Sequence, residues 1–178
     1  MKCFTCGSTN VTRTEKDGNE YYLCDNKHLN ERVIMDSHRI ISKLLSHGLT
    51  HVSTGVLVTK GDEVLLINRR KYPFAYTIPA GHLEQDETPL DGAKRELKEE
   101  TGLELNNLTL IKDYEAFYDP CKGGADYHEW HLYKAEYQYG KLIGDSEAKK
   151  IGFFKPTEIK ELKLTIPTER FLKEIGII

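Results

Sequence analysis

Long apolar runs are missing from this 178-residue chain. The longest, Gly55 to Val58 and Val64 to Ile67, stop far short of the ~20 residues a membrane span needs. Met1-Lys2-Cys3 opens no secretory apolar stretch, so no membrane partner and a cytoplasmic location are expected. Charge of one sign is missing too: 25 Lys and Arg stand against 28 Asp and Glu, a formal net charge of −3. That balance argues against a protein that holds nucleic acid through bulk charge. No repeat and no low-complexity tract appears, and with 39% hydrophobic and 30% charged residues the chain is neither disordered nor fibrous. Its length suits one main core of roughly 130 to 150 residues with a small appendage.

Cysteine is scarce, and its placement is informative. Three of the four cysteines fall within the first 24 residues, as Cys3-Phe-Thr-Cys6 and Cys24-Asp-Asn-Lys-His28. Two knuckles separated by 17 residues supply three thiolates and one imidazole, the ligand set of a closed structural Zn²⁺ site. Between them, Val11 to Glu15 and Glu20 to Cys24 read as short strands around Lys16-Asp17-Gly18-Asn19, which is how a zinc ribbon is built. Some thirty residues cannot fold on apolar burial alone, so bound metal would supply the missing folding free energy. The fourth cysteine, Cys121, reads as a plain thiol.

After the ribbon (residues 1–31), Val33, Ile34, Ser37, Ile41, Leu44 and Leu45 fall near helical spacing and Gly48 follows as a stop, which predicts a linker helix over 32–49. His38, His47 and His51 carry no metal spacing and no partner carboxylate, and read as surface or interface residues. From residue 50 onward the pattern is mixed α and β. Strands are predicted at 51–59 and 63–69 around Lys60-Gly61-Asp62, then at 105–118, 127–137 and 150–154, with a terminal helix at 168–175. Asp119 to Asp126 reads as a loop between two strands and a candidate lid. His128 and His131 lie on opposite faces of their strand by its two-residue period, so they cannot share a metal.

The densest stretch runs from Gly81 to Leu103. Thr88 precedes Pro89, a favoured first helical residue, and Gly102 closes the run. Leu90, Ala93 and Leu97 form a buried stripe, while Glu96, Glu99 and Glu100 converge beside it within little more than one turn. Carboxylates crowded this way repel one another, which suggests a hard cation, Mg²⁺ or Mn²⁺, that spends its remaining positions on phosphate oxygens.

Gly81, five residues, Glu87, seven residues, then Arg95-Glu96-Leu97-Lys98-Glu99-Glu100-Thr101-Gly102-Leu103 matches the 23-residue signature of the Nudix hydrolases at every specified position. Tyr76-Thr-Ile-Pro-Ala-Gly81 is similar to the family's approach to that signature, with Ala80 in place of one glycine. The resemblance covers residues 50–178. It implies an α/β fold, an α/β/α sandwich around a mixed sheet, and hydrolysis of a nucleoside diphosphate linked to another group X. It also implies that Glu96, Glu99 and Glu100 bind Mg²⁺ or Mn²⁺ with help from the carbonyl of Ala80 or Gly81. Glu87 and Arg95 pair to hold helix and loop, and Glu99 and Glu100 are the foremost catalytic candidates. In some relatives the base comes from a later loop, where Glu147 is the candidate here, followed by Glu129.

A ribbon ahead of such a domain resembles the NADH pyrophosphatases, although their Ser-Gln-Pro-Trp-Pro-Phe-Pro stretch is absent. The expected substrate is a nucleotide-type small molecule: ADP-ribose, an NADH-like dinucleotide, a nucleotide sugar or a modified nucleoside triphosphate. Arg69 and Arg70 are candidates for its phosphates and Tyr118 for its ring. The alternative is a nucleotide-sensing or RNA-binding regulator. Against it stand the intact glutamates and a ribbon in which Arg13, Lys16 and Lys27 are offset by Glu15, Asp17, Glu20 and Asp25. The ribbon reads instead as a structural or dimerisation module, which leaves a homodimer open.

Overall fold

The computed structural model describes residues 1–35 and 38–178. The N-terminal unit is built from β1 (Lys2–Cys3), β2 (Val11–Lys16), β3 (Asn19–Cys24), β4 (Leu29–Asn30) and β5 (Val33–Ile34). Strands β2 and β3 form the expected hairpin, pairing Val11 with Cys24 through Lys16 with Asn19. Asp17 and Gly18 turn the chain with positive φ at both residues, the geometry of a tight hairpin turn.

The linker is not helical in its described residues, and Ser37 lies outside them. Val33 and Ile34 pair instead with β1, while β6 (Ser42–Leu45) folds back antiparallel on β7 (Gly48–Lys60). A helix would need an apolar surface under its stripe, yet Leu44 is 85% exposed and Leu45 38%. Gly48, at φ 127°, closes a hairpin there rather than a helix.

The body is one large mixed sheet. Its central path runs β11 (Thr109–Tyr118), β12 (Tyr127–Glu136), β7, β8 (Glu63–Arg69), β13 (Ala148–Phe154). Strands β12 and β7 are parallel over ten residue pairs, and the other neighbours on this path are antiparallel. Short strands β9 (Tyr76–Thr77) and β10 (Ala80–His82) add to β8 and β7. Period-2 alternation then sorts the side chains into two cores. Leu57, Val64, Leu66 and Leu132 face α2 (Pro156–Ile159) and α3 (Ile166–Glu174), where Ile159, Phe171 and Leu172 are buried. Val56, Val58, Leu65 and Tyr133 face α1 (Pro89–Thr101), which buries Ala93 and Leu97. Helices therefore cover both faces, as expected for an α/β/α sandwich.

Helix α1 begins and ends where its sequence specifies. Thr88 is the N-cap and accepts a hydrogen bond from the Asp91 N–H, Pro89 fills the first position, and Gly102 caps the C-terminus in the left-handed region at φ 71°. This places the glutamates of its last turns beside β10 and β7.

Candidate active site

Gly81 sits where α1 comes closest to the sheet. A Cβ built on it would lie 2.1 Å from the Glu96 carboxylate, so only glycine admits the glutamate there. Gly81→Ala should push that carboxylate aside and weaken Mg²⁺ binding roughly 10- to 100-fold, measured by titration calorimetry. Unchanged affinity would show that Glu96 has room to move.

Arg95 organises the junction. Its Nε and Nη2 donate to the two oxygens of Glu87 at 2.6 and 3.0 Å, and Nη2 also donates to the His82 carbonyl at 3.0 Å. Its Nη1 donates to Glu96 at 2.7 Å and to Glu99 at 3.2 Å. Glu87 in turn accepts from the Glu84 backbone N–H at 3.0 Å. The hydrogen bonds from Arg95 hold the Glu87 carboxyl below its usual range. Glu100 accepts from the Ala80 backbone N–H at 2.8 Å, which ties the end of the helix to β10.

The three glutamates differ in environment. Glu99 is 60% exposed and Glu96 only 14%. Burial pushes the Glu96 carboxyl up, opposed by Arg95. Burial and the neighbouring Glu96 push Glu100 up to about 8. A glutamate whose folded-state value lies above its unfolded one stabilises the fold fully below about pH 4.5. That contribution is lost as pH rises to about 8. In Mg²⁺-free buffer the wild type should therefore lose a few kcal/mol relative to Glu100→Gln between pH 5 and pH 8. Added Mg²⁺ should restore the loss. Parallel pH profiles of Tm for the two proteins would show otherwise.

These groups line a cleft of about 340 Å³ that also contains Arg69, Asp119, Lys122, Asp145 and Glu147. Among the described residues the Nε of Arg69 is buried without a hydrogen-bond partner. Glu147 is engaged by Lys71 and, at 3.6 Å, by Lys122. Burial, reinforced by Lys71, brings the Lys122 amine down to about 7, and burial raises the Asp119 carboxyl to about 6. Three sequence candidates fall elsewhere. Arg70 donates to the Ala148 carbonyl and lines a separate depression beside the ribbon hairpin. Tyr118 is 56% exposed and packs edge-on against Tyr127. Glu129 pairs with Lys43 at 2.6 Å and does not line the cleft.

The loop from Asp119 to Asp126 forms one wall of the cleft and is tied to the N-terminal segment. Arg32 donates to the carbonyls of Cys121 and Ala125 and to the Asp126 carboxylate at 2.7–2.9 Å. The backbone N–H groups of Val33 and Met35 add bonds to Lys122 and Gly123.

Two groups of metal-type donors stand out among the described residues. In the ribbon, one ligand atom each of Cys3, Cys6, Cys24 and His28 lies within 4.8 Å of the others. Asn26 donates to the Cys6 sulfur at 3.4 Å and Asn30 to that of Cys3 at 3.3 Å, bonds that favour thiolates. The donor set suits Zn²⁺. The second group, His51, His82, Cys121 and His128, has no signature in the sequence, where the first histidine read as a surface residue and the cysteine as a plain thiol. His51 is 6% and His128 2% exposed. Burial lowers His51 to about 4 and His128 to about 3, and takes His82 well below its usual value, so all three rings are neutral near pH 7. His131 does face away from His128 and pairs with Asp113.

The NUDIX domain family model matches residues 49–175, and the chain belongs to the Nudix family. It is 27% identical over 125 residues to an ADP-ribose pyrophosphatase of Methanocaldococcus jannaschii, covering 69% of this chain and 71% of that protein. It is 38% identical over 88 residues to the m7GpppN-mRNA hydrolase NUDT17 of Danio rerio, covering 44% of this chain but only 29% of that protein. Among solved structures, the MutT protein of Bacillus halodurans superposes with a TM-score of 0.55 at 26% identity, over 68% of this chain and 79% of the other.

Proposed function

We propose that this chain is a divalent-cation-dependent pyrophosphohydrolase that cleaves a nucleoside diphosphate linked to a group X. The observation that carries this reading is the meeting of Glu96, Glu99 and Glu100 with Arg69 in one cleft. Three carboxylates supply the oxygen donors that Mg²⁺ or Mn²⁺ requires, and the Ala80 or Gly81 carbonyl is the further ligand in this reading. When bound, the ion neutralises pyrophosphate charge and acidifies water. Glu96 is held in place by Arg95 and Glu100 by the Ala80 N–H, while the guanidinium of Arg69 in the same cleft pairs with a phosphate oxygen. Glu99, the most exposed of the three, accepts the proton of the attacking water. Glu147, which lines the same cleft and is held by Lys71 and Lys122, is the second candidate for that task. The ribbon takes a structural Zn²⁺ through Cys3, Cys6, Cys24 and His28.

ADP-ribose is the leading substrate, because the Methanocaldococcus jannaschii ADP-ribose pyrophosphatase aligns over most of both chains. An NADH-like dinucleotide, a nucleotide sugar and a modified nucleoside triphosphate complete the set to be tested. Incubation of the purified protein with Mg²⁺ and each compound, followed by chromatography, should yield a nucleoside monophosphate and phosphorylated X. Binding without turnover of any of them would replace the enzyme with a nucleotide sensor.

A further inference from the structure

The donors of the second cluster come from four places in the chain and converge through the sheet. His51 on β7 is the register partner of His128 on the parallel strand β12. Two residues further along β7, and therefore on the same face, Ser53 is the partner of His82 on β10. Three imidazoles thus project from neighbouring strands toward one point, and Cys121 closes the group from the loop. His82, Cys121 and His128 also line the active-site cleft.

Three of the donor separations match the edges of a tetrahedron around one ion. His82 Nε2 is 3.2 Å from both His51 Nδ1 and His128 Nε2, and the Cys121 sulfur is 3.7 Å from His51 Nδ1. With Zn–N near 2.0–2.1 Å and Zn–S near 2.3 Å, tetrahedral edges are about 3.3 Å between nitrogens and about 3.6 Å from nitrogen to sulfur. Hydrogen bonding alone does not account for the arrangement. His128 Nδ1 lies 2.7 Å from the Asp119 carbonyl and must donate to it, which leaves the Nε2 of the neutral ring as a bare lone pair. A ring nitrogen carries either a hydrogen or a lone pair, so His82 Nε2 cannot make linear hydrogen bonds to two nitrogens at once. The two 3.2 Å contacts of His82 Nε2 are therefore not both full, linear hydrogen bonds. A cation shared by all the lone pairs removes the conflict, and the Asp119 carbonyl becomes the outer partner that fixes the His128 tautomer.

We infer that His51 Nδ1, His82 Nε2, His128 Nε2 and Cys121 Sγ form a second, closed Zn²⁺ site that pins the Asp119–Asp126 loop to the sheet beside the catalytic cleft. Three imidazoles and a thiolate suit zinc and not the hard ion of the glutamates. Four protein ligands leave no open position, so the site is structural. It is independent of the pyrophosphohydrolase reading and of the ribbon's metal.

Metal analysis and zinc X-ray absorption on the intact wild-type protein test it directly. About two zinc ions per chain are expected, with a mean first shell of equal nitrogen and sulfur, because a ribbon of three sulfurs and one nitrogen is averaged with its inverse. One zinc per chain with a sulfur-rich shell would overturn the inference and leave the ribbon intact. His82→Ala should remove one zinc and raise the sulfur fraction of what remains. Cys6→Ser should also remove one zinc but leave a nitrogen-rich shell, which separates a failure of the ribbon assignment from a failure of this one. Cobalt substitution in the Cys6→Ser protein supplies a readout that does not depend on the His82 variant folding. Tetrahedral visible bands with one thiolate charge-transfer band, the latter lost on adding Cys121→Ser, are expected, and their absence would sink the proposal.

Discussion

Glu99→Gln is expected to lower kcat about 10²- to 10⁴-fold while leaving the fold unchanged. The side chain is 60% exposed and, among the described residues, is held by Arg95 at 3.2 Å, so stability should move by no more than about 0.5 kcal/mol. Glutamine keeps the shape and an acceptor oxygen but loses the charge and the basicity. A titration with Mg²⁺ separates the two uses of the carboxylate. Rate restored at high Mg²⁺ would make Glu99 only a ligand, whereas a rate that stays low at saturation identifies it as the proton acceptor. Full activity at ordinary Mg²⁺ would remove Glu99 from the mechanism.

Arg95→Met should produce the largest loss of stability among site variants, about 3 kcal/mol in urea unfolding. Arg95 serves Glu87, Glu96 and the His82 carbonyl together, and the side chains of Glu87 and Glu96 are only 19% and 14% exposed. Removing the guanidinium leaves two carboxylates in poor solvent with no compensating cation, and the partial exposure of the group keeps the cost from rising higher. Arg95→Lys should recover less than half of the loss. A single ammonium cannot reproduce the fork that grips both oxygens of Glu87 while reaching a carbonyl and a second carboxylate. A loss below about 1 kcal/mol for Arg95→Met would mean that the carboxylates find other partners.

What was legible in the sequence was local. Thr88, Pro89 and Gly102 write the bounds of α1 because capping needs only neighbouring residues. The hairpin between the two cysteine knuckles was readable for the same reason. The linker misled because an apolar stripe at helical spacing states a need for burial without saying what covers it. Here Val33 found β1 and the wall loop, and Leu44 found nothing. Arg69 and Arg70 are adjacent and chemically alike, yet at the end of a strand successive side chains diverge, and only the first reaches the cleft. The histidine and cysteine cluster was beyond reach of spacing rules. Residues 51, 82, 121 and 128 meet only because β7 and β12 pair in parallel with one particular register, a nonlocal fact.

The Arg32 staple has a consequence for how the protein opens and closes. Its three bonds join residues 89 to 94 positions apart, among the more distant hydrogen bonds in the fold. The seam rests on a few bonds, whereas the β7–β12 ladder runs over ten residue pairs, so the seam is expected to part before the sheet does. Native-state hydrogen exchange should find the amides of Val33 and Met35 among the earliest ordered backbone groups to exchange, in one joint event, while those of β7 wait for global unfolding. Residues 32–35 would then latch one wall of a cleft whose catalytic glutamates stand on α1, dozens of residues away in sequence.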